Sequence, residues 1–315
     1  MTPVVTVCIP VYRDRYLKPA IASVLAQTFR NLELFVVDDS PSGVDPRILA
    51  AFSGDDRLRY VRNETNLGMV GNWNRCVELA THDYLAILHD DDLWEPDYVR
   101  QAVDVLDRHK PAGLLCTATT HIDGDDRQLG ISRPWPDDRI LSGEQVFREL
   151  IFGNKIYCPS IMVRRHCYDV AGRFDAAVRH AADWEMWLRI CLRFDVAYVA
   201  TPLARYREHQ QRTTNALAEG DDAILQRDAC GVVARGGQAA ADLGRMDLAR
   251  VARRSLAQHA FELGYQRRYR GDVTLMWRQI REAWSADPLY VLARPHRVLK
   301  MLAYSIITRL AGRGA

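Results

Sequence analysis

No apolar run in this chain reaches the roughly 18 residues that a membrane-spanning helix needs, so an integral membrane protein is not expected. The N-terminus passes from Met1 straight into the strand-like Val4-Val5-Thr6-Val7-Cys8-Ile9. With no basic segment ahead of an apolar one, no secretory signal is expected. The seven cysteines (8, 76, 116, 158, 167, 191 and 230) are odd in number and include no Cys-x-x-Cys pair. That excludes the usual zinc and dithiol motifs and implies buried free thiols in a reducing compartment, hence a cytoplasmic protein. Arginines are spread over many segments with no compact basic motif, which argues against a nucleic-acid partner. No internal repeat is evident.

What remains is a chain of 315 residues with 48% hydrophobic and 26% charged residues, ordinary for a globular protein and long enough for one large α/β domain with an appendage. Its net charge of +2 conceals an asymmetry. From Ala223 onward there are 16 Lys and Arg against 7 Asp and Glu, so the tail is basic and the preceding body acidic.

The body alternates strand-like and helix-like runs, the pattern of βα units and a mainly parallel sheet. Strands are expected at Val4 to Ile9, Leu32 to Val37, Leu58 to Val61, Tyr84 to Leu88, Leu114 to Ile122, Ile161 to Val163, Val196 to Ala200 and Leu203 to Tyr206. Helical spacing covers Leu17 to Gln27, Pro46 to Phe52, Gly71 to Ala80, Pro96 to His109, Ser142 to Phe152 and Ala182 to Phe194. Ser142 is a candidate N-cap, with Gln145 three residues on. The polar, proline-containing stretch 124–138 reads as a loop. Beyond about Ala218 only helical patterning remains, with breaks expected at Gly236-Gly237, Gly264, Gly271, Pro288 and Pro295.

Two acidic clusters, Asp38-Asp39 and Asp90-Asp91-Asp92, follow expected parallel strands directly. Ligands of open α/β sheets bind at that edge. Three adjacent carboxylates repel one another, and hard cations such as Mg²⁺ or Mn²⁺ bound with phosphate relieve the repulsion. The competing reading is an acidic turn that caps the helix near Pro96.

Several further runs tie the clusters together: Val7-Cys8-Ile9-Pro10-Val11-Tyr12-Arg13, Ala22-Ser23-Val24-Leu25-Ala26-Gln27-Thr28, Glu33 to Ser40, and Asn66-Leu67-Gly68 with Asn72 and Asn74. Later come Gly172-Arg173-Phe174-Asp175, Asp183 to Arg189, and Tyr206-Arg207-Glu208-His209. In order and spacing this set resembles the family 2 glycosyltransferases of the GT-A fold, over roughly residues 4 to 214. The resemblance implies a Rossmann-like sheet with helices on both faces over residues 1–217. Residues 218–315 are then a basic helical accessory region.

The resemblance also implies roles. Pro10, Tyr12 and Asp39 fall where the base and ribose of a nucleoside-diphosphate sugar are held, with UDP- or dTDP-sugars the expected donors. Asn66 and Asn74 fall near a donor loop and a helix start, where donor contact and capping are equal readings. Asp91 matches the metal ligand, Asp90 the ribose or sugar contact, and Asp92 a second ligand or its support. His89 stands where the family often has an acid. Asp183 matches the catalytic base of an inverting transfer, although Ala182 replaces a common glutamate; helix capping is its plainer reading. One of Trp184 and Trp187 could line an acceptor site. Arg207 and Arg212 are candidate clamps for the diphosphate and His209 a further metal ligand, within a segment that closes over the leaving group.

The expected activity is therefore metal-dependent sugar transfer to a saccharide or lipid-linked acceptor in cell-surface polysaccharide or glycolipid assembly. The last helix places Leu299, Leu302, Ile306 and Leu310 on one face, which suits peripheral contact with the inner membrane surface, internal packing or a homodimer. The alternatives are a non-catalytic sugar-nucleotide-binding protein, kept open by His89 and Ala182, and a sugar nucleotidyltransferase. The latter usually has a glycine- and Arg/Lys-rich loop after the first strand, where this chain has Pro10-Val11-Tyr12-Arg13.

Overall fold

The computed structural model describes residues 5–178, 180–209, 223–267, 269 and 271–311. The chain divides into two compact units, Met1–Leu150 with Asn154–Arg212 and Ile151–Gly153 with Thr213–Ala315. The expected boundary at 217/218 lies outside the described residues.

The first unit is built on a ten-stranded sheet. Strands β1 (Val5–Val11), β2 (Leu32–Asp38), β3 (Leu58–Arg62) and β4 (Tyr84–Ile87) lie in the order β3-β2-β1-β4, all parallel. Every residue of β1 and β4 is buried, as both-faced coverage by helices demands. Helices α1 (Leu17–Leu25), α2 (Pro46–Ala50) and α3 (Gly68–Leu79) connect these strands, and α1 turns Leu17, Ala20, Ile21, Val24 and Leu25 inward. After a two-residue strand β5 (Leu93–Trp94), helix α4 (Tyr98–Arg108) leads to β6 (Ala112–Ile122).

The stretch 124–138 departs from the expected loop. It contains β7 (Gln128–Ser132), which folds back on β6 as an antiparallel hairpin. Strand β8 (Arg139–Leu141) and helix α5 (Gly143–Leu150) follow, and Gln145 N donates to Ser142 Oγ at 3.2 Å as the capping signal requires. Strand β9 (Ile161–Arg164) runs antiparallel between β4 and β6. Helix α6 (His166–Ala171) and helix α7 (Ala182–Cys191) precede β10 (Asp195–Arg207). Two strands were expected in this last region, and one is found. Pro202 cannot donate to the ladder, and β10 absorbs the interruption as register shifts on either side of it without ending. Because β9 reverses and β6 reverses again, β1, β2, β3, β4, β6 and β10 all point the same way. Their carboxyl ends therefore share one edge.

The second unit is helical: α8 (Ala223–Asp242), α9 (Met246–Arg267), α10 (Val273–Ala286), α11 (Pro288–Leu292) and α12 (Pro295–Ala311). Phe261, Met276, Ile280 and Met301 form its centre. Gly271, at φ +77°, and the two prolines do end helices, whereas Gly237 and Gly264 lie inside α8 and α9. A Cβ on Gly237 would stand 2.9 Å from Ala252 Cβ, and one on Gly264 would stand 3.0 Å from Met276 O. These glycines let helices approach closely, so they do not break them. Among the described residues no helix is long and apolar enough to cross a membrane.

Candidate active site

The shared carboxyl edge collects side chains separated by more than a hundred positions. After β2, Asp38 is fully buried and accepts from Ser40 N (2.8 Å), Ser40 Oγ (2.5 Å), Val44 N (3.0 Å) and Tyr60 Oη (2.6 Å). Burial alone would raise its carboxyl; the donors outweigh it and hold it below the usual range. Asp38 is thus a structural knot. Asp39 is different: its Oδ1 accepts from Asn63 Nδ2 (2.9 Å) and Leu67 N (2.8 Å), and it borders a cavity of about 510 Å³ lined also by Pro41, Arg62, Asn63, Glu64 and Asn66. Asn66 donates to Asp39 O at 2.7 Å and so shapes the wall of that cavity.

Pro10 is buried inside β1, and Tyr12 just beyond it is exposed. The turn after β1 is pinned by Asp90, whose Oδ2 accepts from both Tyr12 N and Arg13 N at 3.0 Å. Burial and the adjacent Asp91 carboxylate push the Asp90 carboxyl up to about 7.

His89, Asp91 and Asp92 each offer one ligand atom, and these atoms lie within 4.8 Å of one another. Asp92 is buried. Its Oδ1 accepts from Arg207 N at 2.8 Å, while its Oδ2 is buried without a hydrogen-bond donor, His89 Nδ1 standing 3.5 Å away. An orphaned buried carboxylate oxygen beside a second carboxylate and an imidazole is a donor set that suits a divalent cation. The residues therefore fit a metal. Burial, with Asp91 adding to it, raises the Asp92 carboxyl. Burial would lower His89, but the Cys158 thiol and Asp92 outweigh it and the ring titrates well above its usual range. Burial pushes the Cys158 thiol up as well. The His89 ring also stacks on Trp73 at 5.4 Å, which fixes its plane.

His209, 118 positions away in sequence, places Nε2 3.0 Å from Asp91 Oδ2. It packs on the Tyr16 ring at 5.3 Å. Arg207 is only 1% exposed: its Nε donates to Asp91 O (2.7 Å), one terminal nitrogen donates to Asp123 O (3.0 Å) and pairs with Asp126 (2.6 Å), and its guanidinium lies over Tyr16 at 4.4 Å. Arg207 is thus committed to bracing the aspartate turn. Arg212 lies outside the described residues.

Asp183 sits in the first turn of α7, not at its cap, which is Ala181. Its Oδ1 accepts from Trp184 N at 2.7 Å, burial raises its carboxyl, and His89 and His180 are near enough to oppose the rise. The loop before it is tied to α7: Glu185 and Arg189 form a bidentate pair, and Arg189 reaches Ala171 O and Arg173 O. Asn74 gives both ends of its amide to the Phe174 backbone (3.0 and 2.9 Å). Trp184 and Trp187 are both buried, so neither forms an exposed sugar platform.

His89 and Tyr16 are among the members of this constellation whose contribution the sequence did not assign. An imidazole next to a triple aspartate is itself a ligand-type signal. Tyr16, by contrast, is visible only once β10 and the turn are brought together.

The model of the family described as glycosyl transferase family 2 matches residues 6–169. The chain belongs to glycosyl transferase family 2. An uncharacterized glycosyltransferase of Rickettsia typhi is 28% identical over 224 residues, 68% of this chain and 67% of its own. Chondroitin synthase of Escherichia coli is 28% identical over 193 residues, 60% of this chain but only 26% of that protein. Among solved structures, S. aureus TarS 1-349 in complex with UDP-GlcNAc superposes with a TM-score of 0.61 at 14% identity, 92% of each chain being covered. That likeness is one of fold, and the first unit is a GT-A domain. The family match includes the aspartate turn and ends before Asp183 and His209, so their roles are argued from geometry.

Proposed function

We propose that this family 2 enzyme transfers a sugar, with inversion, from a UDP- or dTDP-sugar to an acceptor hydroxyl, using Mg²⁺ or Mn²⁺. The observation that carries the reading is the meeting of His89, Asp91 and Asp92 at the sheet edge that also bears the Asp39 cavity, with Asp183 in electrostatic reach of His89. UDP-GlcNAc in the related TarS fold supports a uridine donor. Chondroitin synthase among the relatives supports a polysaccharide or glycolipid acceptor.

The base would enter the Asp39 cavity, Tyr12 offering its ring and Asp39 a carboxylate acceptor, with Asn66 and buried Pro10 shaping the walls. Asp90 acts on the donor through the Tyr12 turn that it holds. Asp91, Asp92 and His209 would hold the cation, with His89 completing the set; two imidazoles among the ligands favour Mn²⁺ over Mg²⁺. When bound, the cation supplies positive charge to the departing diphosphate. Arg207 keeps the turn in shape, and Asn74 positions the loop ahead of α7. Asp183 takes the proton of the acceptor hydroxyl as that oxygen bonds to C1 from the face opposite the phosphate. The C1–phosphate oxygen bond breaks, and the nucleoside diphosphate leaves. The test is a thermal-shift and hydrolysis screen of nucleotide sugars with and without Mn²⁺. One uridine or thymidine donor should stabilise the protein in a Mn²⁺-dependent manner and be consumed, and stabilisation without consumption across many acceptors would favour the non-catalytic reading.

A further inference from the structure

The last two helices of the second unit present an apolar surface outward. Helix α12 packs inward through Val298, Met301 and Ser305, the last accepting from Trp277 Nε1 at 2.8 Å. On its opposite arc Leu299 (64% exposed), Leu302, Ile306 (58%) and Ile307 (62%) face away from that core, and Leu289 (75%) and Leu292 precede them in α11. A single exposed leucine is ordinary; a run of large aliphatic side chains on the outer arc of one helix marks an interaction surface.

Charge identifies the occupant. From Pro288 to Ala315 the sequence has five Lys and Arg and no Asp or Glu. Arg297 is drawn to Glu262 and the Tyr265 ring, and Arg294 lies over Tyr290, whereas Lys300 is exposed next to Leu299. Two copies apposed through this face would bring cations together with no carboxylate in the stretch to pair with them. Anionic lipid headgroups complement it, and the aliphatic arc suits the boundary between headgroups and acyl chains.

We propose that α11 and α12 dock this unit on an anionic bilayer surface, with α12 lying in the plane of the interface. The inference does not rest on the glycosyl-transfer reading and can fail without it. The test is flotation of the full chain with phosphatidylcholine vesicles containing about 30 mol% phosphatidylglycerol, against pure phosphatidylcholine vesicles. Binding should require the anionic lipid, weaken with salt, and fall about tenfold in Leu299→Asp/Ile306→Asp. Lys300→Glu, which leaves the apolar packing untouched, should also weaken binding and keeps the test readable if the double variant misfolds. Absence of the wild-type chain from the floated anionic fraction overturns the proposal. So does wild-type flotation of both variants, or a dimer in sedimentation that Leu299→Asp/Ile306→Asp disperses while no vesicle binding is seen.

Discussion

At the scale of single residues the site depends on carboxylates kept in unfavourable surroundings. Burial raises Asp183 above an ordinary aspartate, although a short bond from Trp184 N, two nearby histidines and its own backbone N–H oppose the rise. As the proposed base it would act deprotonated, so turnover should rise with pH along a limb displaced upward from the ordinary carboxylate range, and a rate profile with saturating donor measures this. In Asp183→Asn that limb should vanish, with kcat lowered about 10²- to 10⁴-fold and donor binding retained. The stability sign is opposite. A carboxyl with a raised folded pKa costs stability as pH rises through that value, because the unfolded chain ionises more readily. Asp183→Asn should therefore melt higher than the parent at neutral pH, and the difference should disappear at acid pH where both side chains are neutral. Equal melting at neutral pH would contradict the burial account.

At the scale of elements, α7 and the loop before it are joined by the buried Glu185–Arg189 pair, which also gathers Ala171 O and Arg173 O. Arg189→Ala strands Glu185 in an apolar setting and should cost about 3–5 kcal/mol in urea denaturation. A loss below about 1 kcal/mol would show that the pair is no more than a surface bridge. Much of this level was legible in the sequence, since apolar runs and turn residues report strands and helices locally. The acidic clusters were placed on one edge because both follow parallel strands. What escaped had non-local causes. Gly237 and Gly264 look like helix breaks until the neighbouring helix shows why a side chain is excluded. Pro202 looks like a strand end until β6 is seen to pair with β10 both before and after it, with β8 alongside β10 before the proline and β5 after it. Arg207 looks like a phosphate clamp until Asp91, Asp123, Asp126 and Tyr16 are seen to surround it.

At the scale of the whole molecule, the chain joins an acidic GT-A unit to a basic helical unit, and we propose chemistry for the first and attachment for the second. The proposed metal dependence belongs here, because its candidate ligands come from the turn after β4 and from just beyond the end of β10. Chelation with EDTA should abolish turnover, and Mn²⁺ should restore it more fully than Mg²⁺ because imidazoles take part. Restoration by Mg²⁺ alone would speak against the histidines. The most direct test of the central claim is turnover of the preferred UDP- or dTDP-sugar with Mn²⁺ by the parent chain, Asp91→Ala and Asp183→Asn. Asp91→Ala should lose Mn²⁺-dependent donor stabilisation along with turnover, and Asp183→Asn should keep the stabilisation and lose turnover. Wild-type turnover by both variants would contradict that claim.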